Sequence, residues 1–281
     1  MKRFILNSEP ERNGTVRLTG DDYHYLARVR RLAPGEYFPG LLPSGEKVLI
    51  RVNSVDGGVL TGMAAPENAA AAPAGAAGLA GQPLTLGMPP LILFQGLPKG
   101  EKMDLIVRQA AEGGLAEIVP FAAEYSAPKL REPGKAAGRA REAGSGGAKI
   151  SRWRRIIKEA RQQSGSGVET AIRAPLSADE LFAYWETLTI QHPGALGLAL
   201  HQIPLEHKSL HGYLDSRPPL IVAAIGPEGG FSQSELARFL EAGFKPVTIG
   251  STVLRTETAA VYAAAAIHII MQERDSWETK K

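Results

Sequence analysis

The sequence predicts a protein of two domains, in which a small β-barrel precedes an α/β domain. At 281 residues the chain exceeds the usual length of a single domain. Short apolar runs separated by turn residues fill residues 1–63, as expected of a small all-β unit. Farther along, an apolar strand leads through a tight loop into a capped helix, the building block of α/β folds. We expect the barrel at 1–65, a linker at 66–83 and the α/β domain at 84–281.

Five strands and one helix are predicted in the barrel. The strands are expected at 4–6, 15–18, 37–42, 47–52 and 59–63, with hairpin-like connections at 43–45 and 56–58. The helix is expected around residues 21–31. Its basic residues and a nearby histidine are candidates for RNA binding: His24, Arg28, Arg30 and Arg31. An arginine cluster fits phosphate contacts and a solvated basic face equally well.

The predicted linker consists largely of Ala, Gly and Pro. Such a composition buries little and has no helical or strand period, so we expect a linker or a disordered loop. An alanine helix is the alternative, but the prolines and glycines limit it to a turn or two.

The first helix of the α/β domain is predicted at residues 101–112. Its apolar residues recur at helical spacing and form a core face: Met103, Ile106, Val107 and Ala110. Lys99 and Lys102 lie at its start, where cations oppose the helix dipole. Both are therefore candidates for RNA binding, with snorkelling surface lysines as the alternative.

Positive charge is concentrated in one segment. Residues 129–161 contain 11 Lys or Arg and three Glu, a net charge of +8, whereas the whole chain carries +3. The glycine-rich part predicts a flexible arm at 132–148 that grips a polyanion. Arg152 and Arg154 are the RNA-binding candidates of this segment. A merely solvated basic loop is the alternative.

The most informative stretch is the glycine turn Gly-Pro-Glu-Gly-Gly at residues 226–230, which follows an apolar strand at 220–225. Its glycines permit close approach of a ligand to the backbone. Neither familiar phosphate loop fits, because Pro227 lacks an amide donor and Glu228 would repel an anion. The turn therefore favours a neutral or cationic ligand. A sharp bend in which Glu228 caps a neighbouring turn is the alternative.

Two capping boxes predict where helices begin. Ser232 and Glu235 have the S-x-x-E spacing directly after the glycine turn, and this helix is expected to stop at Gly243. Ser177 and Glu180 repeat the spacing, and we interpret that helix as structural. A further short strand is expected at 246–249.

A second motif, Leu-Arg-Thr-Glu-Thr-Ala at residues 254–259, opens the last helix. Thr256 is a plausible N-cap, and Glu257 would interact favourably with the positive end of the helix dipole. Neither role explains Arg255, because a cation is unfavourable at a helix N-terminus. From Ala259 onward the helix is apolar nearly all round, which predicts burial.

The two motifs resemble those of the RsmE-type ribosomal RNA uridine N3-methyltransferases, members of the knotted SPOUT superfamily. Upstream segments agree in the same order, so that the resemblance covers most of residues 84–270: 99–104, Glu112, Pro120, 152–153, 159–160 and 163–164. The chain departs from the family at 166–169, where an arginine and Val-Pro are usual, and at Gly113, where leucine is usual.

The resemblance implies a SPOUT-type trefoil-knotted α/β methyltransferase domain with an N-terminal PUA-like β-barrel. It also implies S-adenosylmethionine as cofactor, a homodimer, and 16S ribosomal RNA or the small ribosomal subunit as partner. The cofactor is cationic, which a loop containing Glu228 need not exclude. The candidate cofactor-binding residues are Leu200, His201, Gly226, Pro227, Glu228, Gly229, Gly230, Ile249, Gly250, Leu254, Thr256 and Thr258.

Arg255 and Glu257 are the candidate catalytic residues. Methylation of uridine at N3 requires loss of the imide proton, and a guanidinium stabilises the resulting planar anion. Arg255 is the candidate for that role. Glu257 could accept the proton, but a helix cap or a partner for Arg255 is an equal interpretation, and solvent could also deprotonate the base.

Two other functions remain open from the sequence: ribose 2′-O-methylation of transfer or ribosomal RNA, and RNA binding without catalysis. The chain has no cysteine, and its histidines are irregularly spaced, so we expect no metal site. It starts with too short an apolar run for a signal peptide and has no membrane-length apolar stretch. We therefore expect a cytoplasmic enzyme.

Overall fold

The computed structural model describes residues 3–67, 88–126, 145–202 and 208–278. Most of the predicted linker at 66–83 and most of the predicted arm at 132–148 lie outside these residues. The chain forms two compact units. The first combines residues 1–84 with 158–169, and the second combines residues 85–157 with 170–281. The predicted boundaries of 1–65 and 84–281 do not include this return of the chain to the first unit.

The first unit is built on a five-stranded sheet with the strand order β1-β3-β4-β5-β2. The β1–β3 pair is parallel and the remaining pairs are antiparallel. All five strands lie where the alternating pattern predicts them, although β4 and β5 are longer. Their bounds are β1 Phe4–Ile5, β2 Thr15–Thr19, β3 Tyr37–Leu41, β4 Lys47–Asp56 and β5 Val59–Pro66.

One face of this sheet buries an apolar core around Leu26, Phe38, Ile50 and Leu60. The predicted helix at 21–31 is split into a short helix, α1 (Gly20–Tyr23), and a π-helical segment at His24–Val29. Leu26 is the buried residue of the π-helical segment, so packing of this side chain into the core accompanies the irregular turn.

Residues 158–169 join the first unit through backbone contacts. The N–H of Arg3 donates a hydrogen bond to the carbonyl of Gln162 at 2.6 Å. Gly45 and Gly167 approach so closely that a Cβ atom added at Gly45 would lie 2.5 Å from the carbonyl oxygen of Gly167. The two glycines therefore permit a backbone contact that side chains would prevent.

The second unit contains a six-stranded parallel sheet with the order β11-β9-β10-β6-β7-β8. Its strands are β6 Leu91–Gly96, β7 Glu117–Phe121, β8 Ala171–Ile172, β9 Leu196–Leu200, β10 Ile221–Ile225 and β11 Lys245–Val247. Its helices are α2 Lys102–Glu112, α3 Ser145–Ser164, α4 Ala178–Gln191, α5 Leu210–Leu214, α6 Gln233–Glu241 and α7 Thr256–Glu278. Part of α3 belongs to the first unit.

Helices cover both faces of this sheet, as parallel strands require. Leu181 and Trp185 of α4 and Phe239 of α6 pack on one face, against Phe94 and Val222. Helices α2 and α7 pack against each other on the other side, beside Leu93. Both predicted capping boxes are present, with Ser177 and Ser232 each accepting a hydrogen bond from the N–H of the glutamate three residues later.

Two expectations about helices need correction. The end of the predicted flexible arm, residues 145–148, is helical, because residues 145–164 form α3. Helix α7 is not buried all round, since Tyr262 and Ile269 are 56% and 53% exposed. A sequence pattern with apolar residues on all sides of a helix therefore does not show whether the helix is fully buried or keeps one apolar face exposed.

Candidate functional site

A cavity opens at the carboxyl ends of three neighbouring strands. Since β11, β9 and β10 are parallel neighbours, the loops that follow them meet at one edge of the sheet. The cavity is lined by residues 200–202 after β9, by 225–231 after β10 and by 247–254 after β11. Thr256 and Ala259 at the start of α7 complete its wall.

Eleven of the twelve candidate cofactor residues line this cavity. The exception is Thr258, which does not contribute to the wall. The strand predicted at 246–249 ends earlier, at Val247, and Thr248 and Ile249 instead enter the loop that borders the cavity. The structure thus brings together residues that are up to 56 positions apart, from Leu200 to Thr256.

The glycine turn is folded tightly on itself. A Cβ atom added at Gly226 would lie 2.7 Å from the carbonyl carbon of Gly230, so only glycine fits at position 226. The N–H of Gly230 donates to the carbonyl of Pro227 at 2.9 Å. The wall that this turn presents to the cavity is therefore largely backbone.

Thr256 connects the two motifs. Its hydroxyl donates a hydrogen bond to the carbonyl of Gly226 at 2.7 Å and accepts one from Nε2 of Gln95 at 2.9 Å. Helix α7 begins at Thr256 itself, and the carbonyl of Arg255 accepts the N–H of Ala259. The predicted N-cap role of Thr256 is therefore wrong, because its side chain holds the glycine turn instead of the helix end.

Glu228 is engaged by the start of α2. Its carboxylate accepts hydrogen bonds from the N–H of Lys99 at 3.0 Å and from Nζ of Lys102 at 2.8 Å. Burial alone would raise the pKa of Glu228, but the hydrogen bonds from Lys102 and from backbone N–H groups lower it below its ordinary value. These contacts are those of a carboxylate that caps a neighbouring turn.

The two candidate catalytic residues have different surroundings. Arg255 is exposed, and its side chain makes no hydrogen bond or ion pair with the described part of the chain. The side chain of Glu257 is 13% exposed, and its Oε2 lies 3.9 Å from Nζ of Lys102. That oxygen is buried and has no hydrogen-bond partner within the described residues. Lys102 therefore lies between two carboxylates, Glu228 and Glu257.

The RNA-binding candidates of the second unit differ in how far they are already paired. Lys99 is exposed, whereas Lys102 is held by Glu228. Arg152 pairs with Asp104 and lies 3.6 Å from Glu101. Arg154 is exposed and has no hydrogen-bond or ion-pair partner among the described residues.

In the first unit, Arg28 lines a surface depression with Tyr23 and the turn at 56–58. His24 and Arg31 are exposed, and Arg30 is half-buried. Arg31 has a φ of 55°, in the left-handed region, which directs the chain out of the π-helical segment.

Sequence analysis missed several residues of the site. The cavity is also lined by Gln202, Thr248, Ser251, Thr252 and Val253. Ser251, Thr252 and Val253 follow the strand predicted at 246–249, and this position was the available signal. Thr248 was assigned to that strand. Gln95 carries no local signal, since its partner Thr256 is 161 residues away.

None of the helices in the described part of the chain has both the length and the apolar character needed to span a membrane. Within the same residues, no three His, Asp or Glu side chains gather closely enough to hold a metal ion.

Solved structures share this architecture. A ribosomal RNA small subunit methyltransferase E from Neisseria gonorrhoeae, bound to S-adenosylmethionine, superposes with a TM-score of 0.71 at 23% identity, covering 96% of this chain and 98% of that one. A methyltransferase from Legionella pneumophila, in complex with the same cofactor, gives a TM-score of 0.69 at 24% identity, covering 95% and 96%. These structures share the fold of this chain, which confirms the predicted α/β domain with a PUA-like β-barrel before it.

The sequence comparisons define the family. Residues 87–268 match the model of the RNA methyltransferase domain, and the chain belongs to this family. It is 28% identical over 272 residues to ribosomal RNA small subunit methyltransferase E of Synechocystis, covering 96% of this chain and 78% of the relative. It is 29% identical over 261 residues to the protein of the same name from Aquifex aeolicus, covering 92% and 95%.

Proposed function

We propose that the protein transfers a methyl group from S-adenosylmethionine to N3 of a uridine in 16S ribosomal RNA. The observation that carries this proposal is the pairing of a backbone-walled cavity with an exposed arginine at its border. Leu254 lines the cavity, and Arg255 follows it directly. Membership of the RNA methyltransferase family supports RNA as the substrate, and the names of the relatives support ribosomal RNA of the small subunit.

The residues around the cavity fit the cofactor. Backbone groups of residues 226–230 and 249–250 would hold its adenine and ribose by hydrogen bonds, while Leu200 and Leu254 offer apolar contacts. Glu228 and Glu257 place two carboxylates near the glycine turn, with Lys102 between them. A carboxylate favours a cationic ligand over an anionic one. When bound, S-adenosylmethionine supplies an electrophilic methyl group on a positively charged sulfur.

Arg255 is proposed to stabilise the uridine anion. Once the N3 proton is lost, negative charge is shared with the flanking carbonyl oxygens, and a planar guanidinium can pair with two such atoms. An arginine already bound to a carboxylate would be less able to do so. The absence of any partner for Arg255 among the described residues therefore supports this role.

Glu257 is proposed as the proton acceptor. A general base must reach the proton and must have a free lone pair, and Oε2 of Glu257 has no hydrogen-bond partner in the described part of the chain. Lys102 places a positive charge 3.9 Å from this oxygen.

Nucleoside analysis tests the proposed function. Small ribosomal subunits and naked 16S ribosomal RNA from cells lacking the modification are incubated with methyl-labelled cofactor, and the product nucleoside is identified by mass spectrometry. We expect 3-methyluridine. A ribose 2′-O-methylated nucleoside would replace the proposed reaction by the alternative one, and absence of cofactor binding in calorimetry would leave a non-catalytic RNA-binding protein. Comparison of the two substrates also shows whether the assembled subunit is required.

The RNA contacts are proposed to come from basic residues of both units: His24, Arg28, Arg30, Arg31, Lys99, Lys102, Arg152 and Arg154. Among those of the second unit, the exposed and unpaired ones are expected to contribute most to phosphate binding. Because the proposed substrate is ribosomal RNA, we place the activity in the cytoplasm.

A homodimer is also proposed, with the uncovered face of α7 as the contact. Tyr262 and Ile269, seven residues apart, lie on the same side of the helix and are both exposed. An apolar stripe of this kind is typical of a helix that packs against a partner. Sedimentation of Tyr262→Glu and Ile269→Glu variants tests this, and dimers of unchanged stability would exclude this face.

A further inference from the structure

An exposed tyrosine lies against the glycine turn of the cavity. Tyr125 follows β7 and is 51% exposed. A Cβ atom added at Gly229 would lie 2.9 Å from Cβ of Tyr125 and 3.1 Å from its Cγ and Cδ2, so the side chain packs directly on this glycine. Gly229 also lines the cavity. A single backbone residue therefore separates the aromatic ring from the cavity.

The turn that carries Tyr125 is held by hydrogen bonds within the turn and by one hydrogen bond to α6. The N–H of Ser126 donates to the carbonyl of Ala123 at 2.9 Å, and the N–H of Ala123 donates to Oγ of Ser126 at 3.1 Å. The N–H of Glu124 donates to Oε1 of Glu235 at 2.8 Å, which fastens the turn to the start of α6. A tyrosine on such a braced turn loses little conformational freedom when a ligand stacks on it.

The charges around Tyr125 favour a base over a phosphate as its ligand. Glu124 lies in this turn, and Glu235 is bonded to the turn from the start of α6, so that two carboxylates near Tyr125 disfavour an anion. An aromatic nucleobase is neutral and stacks on a tyrosine ring irrespective of its identity. On the opposite loop of the cavity, Val253 is 70% exposed and adds apolar surface.

We propose that Tyr125 provides the aromatic face on which an unpaired nucleobase of the RNA substrate stacks beside the cavity. This inference rests on the proposed function for its substrate. An enzyme that modifies a base must present it outside the helical stack, and stacking on an aromatic side chain compensates for the contacts that the base loses. Tyr125 is thus a substrate-binding residue, supported by Gly229, and has no part in proton transfer.

A substitution series at position 125 tests the proposal. Tyr125→Phe keeps the ring, Tyr125→Leu keeps apolar bulk against Gly229, and Tyr125→Ala removes both. For each variant we would measure kcat and KM on small subunits or ribosomal RNA, affinity for RNA by filter binding, cofactor affinity by calorimetry, and the free energy of unfolding.

If a base stacks on the ring, the Tyr125→Phe variant should keep kcat/KM for RNA within about twofold of the wild type. The Tyr125→Leu and Tyr125→Ala variants should lose roughly tenfold in kcat/KM. All three variants should bind the cofactor as tightly as the wild type. Leu at wild-type efficiency would overturn the proposal, because it lacks a ring. A loss of cofactor affinity equal to the loss of kcat/KM would also overturn it, since the ring would then serve the donor site.

The series separates this inference from the proposed function. If the wild type forms no methylated nucleoside, the proposed function fails. Stacking on Tyr125 is still supported in that case if the Leu and Ala variants bind RNA more weakly than the wild type and the Phe variant does not. If the wild type is active and all variants bind and methylate RNA as it does, the inference about Tyr125 fails and the proposed function stands.

Discussion

The hydroxyl of Thr256 donates a 2.7 Å hydrogen bond to the carbonyl of Gly226 and so fastens the last helix to the glycine turn. The same hydroxyl accepts a hydrogen bond from Gln95, at the end of β6. Both Thr256 and Gln95 are buried. The end of β6, the glycine turn and the start of α7 are thereby held together through one side chain.

Thr256→Val should destabilise the protein by about 1–3 kcal/mol, because the buried carbonyl of Gly226 loses the hydroxyl that donates to it. Nε2 of Gln95 loses one of its two acceptors and keeps the carbonyl of Gly96. Cofactor affinity should fall as well, since both Thr256 and Gly226 line the cavity. Urea unfolding and calorimetry measure the two effects. Thr256→Ser keeps the hydroxyl and is expected to remain close to wild type; a valine variant with unchanged stability would show that the hydrogen bonds contribute little.

Glu228→Gln should change how stability depends on pH. The pKa of Glu228 is below its ordinary value of 4.5 in the folded protein, so its ionised form stabilises the fold. This contribution is complete above pH 4.5 and is lost as the pH falls through the lowered pKa. The difference in free energy of unfolding between wild type and variant should therefore shrink in acid. Glu112→Gln serves as the matched control, because this glutamate is exposed and its side chain has no hydrogen-bond partner in the described chain.

Arg255→Ala should lower kcat at least about 100-fold with cofactor affinity nearly unchanged, because the guanidinium is proposed to act only on the anionic base. Single-turnover methylation and calorimetry give the two quantities. Arg255→Lys retains the charge but not the planar fork, and should recover a small part of the rate. Full turnover by the alanine variant would remove Arg255 from the reaction.

Arg154 and Arg152 form a matched pair for testing RNA contacts on α3. Arg154→Ala should weaken RNA binding. In a plot of log affinity against log salt concentration, it should also reduce the steepness of the slope by about 0.7–0.9, as expected when one phosphate contact is lost. Arg152→Ala should leave that dependence nearly unchanged, because its guanidinium is already paired with Asp104. Instead, it should cost up to about 1 kcal/mol of stability. Equal slopes in both variants would contradict this distinction.

The parts of the fold that depend on residues close together in the sequence were predictable from the sequence. Capping boxes at Ser177 and Ser232 act over three residues, and alternation within a strand is equally local. The contacts that complete the site act over long separations. Lys102 and Glu228 are 126 residues apart, and no sequence pattern indicates that the lysine meets a carboxylate instead of RNA.

Helix α7 shows a different limit. Its alanine-rich pattern predicts burial nearly all round, whereas the structure buries one side, at Ala260, Ala263 and Ala264. The pattern does not indicate which side stays uncovered, because alanine and isoleucine occur on both. Only the position of α2 and of the sheet selects the buried face.

The return of residues 158–169 to the first unit has a consequence for biosynthesis. The N–H of Arg3 finds its acceptor on Gln162, so the beginning of the polypeptide must wait for that residue to be translated. The five strands of the first sheet therefore emerge from the ribosome long before the unit is complete. A nascent chain stalled ahead of residue 158 would expose an unfinished unit to chaperones and proteases.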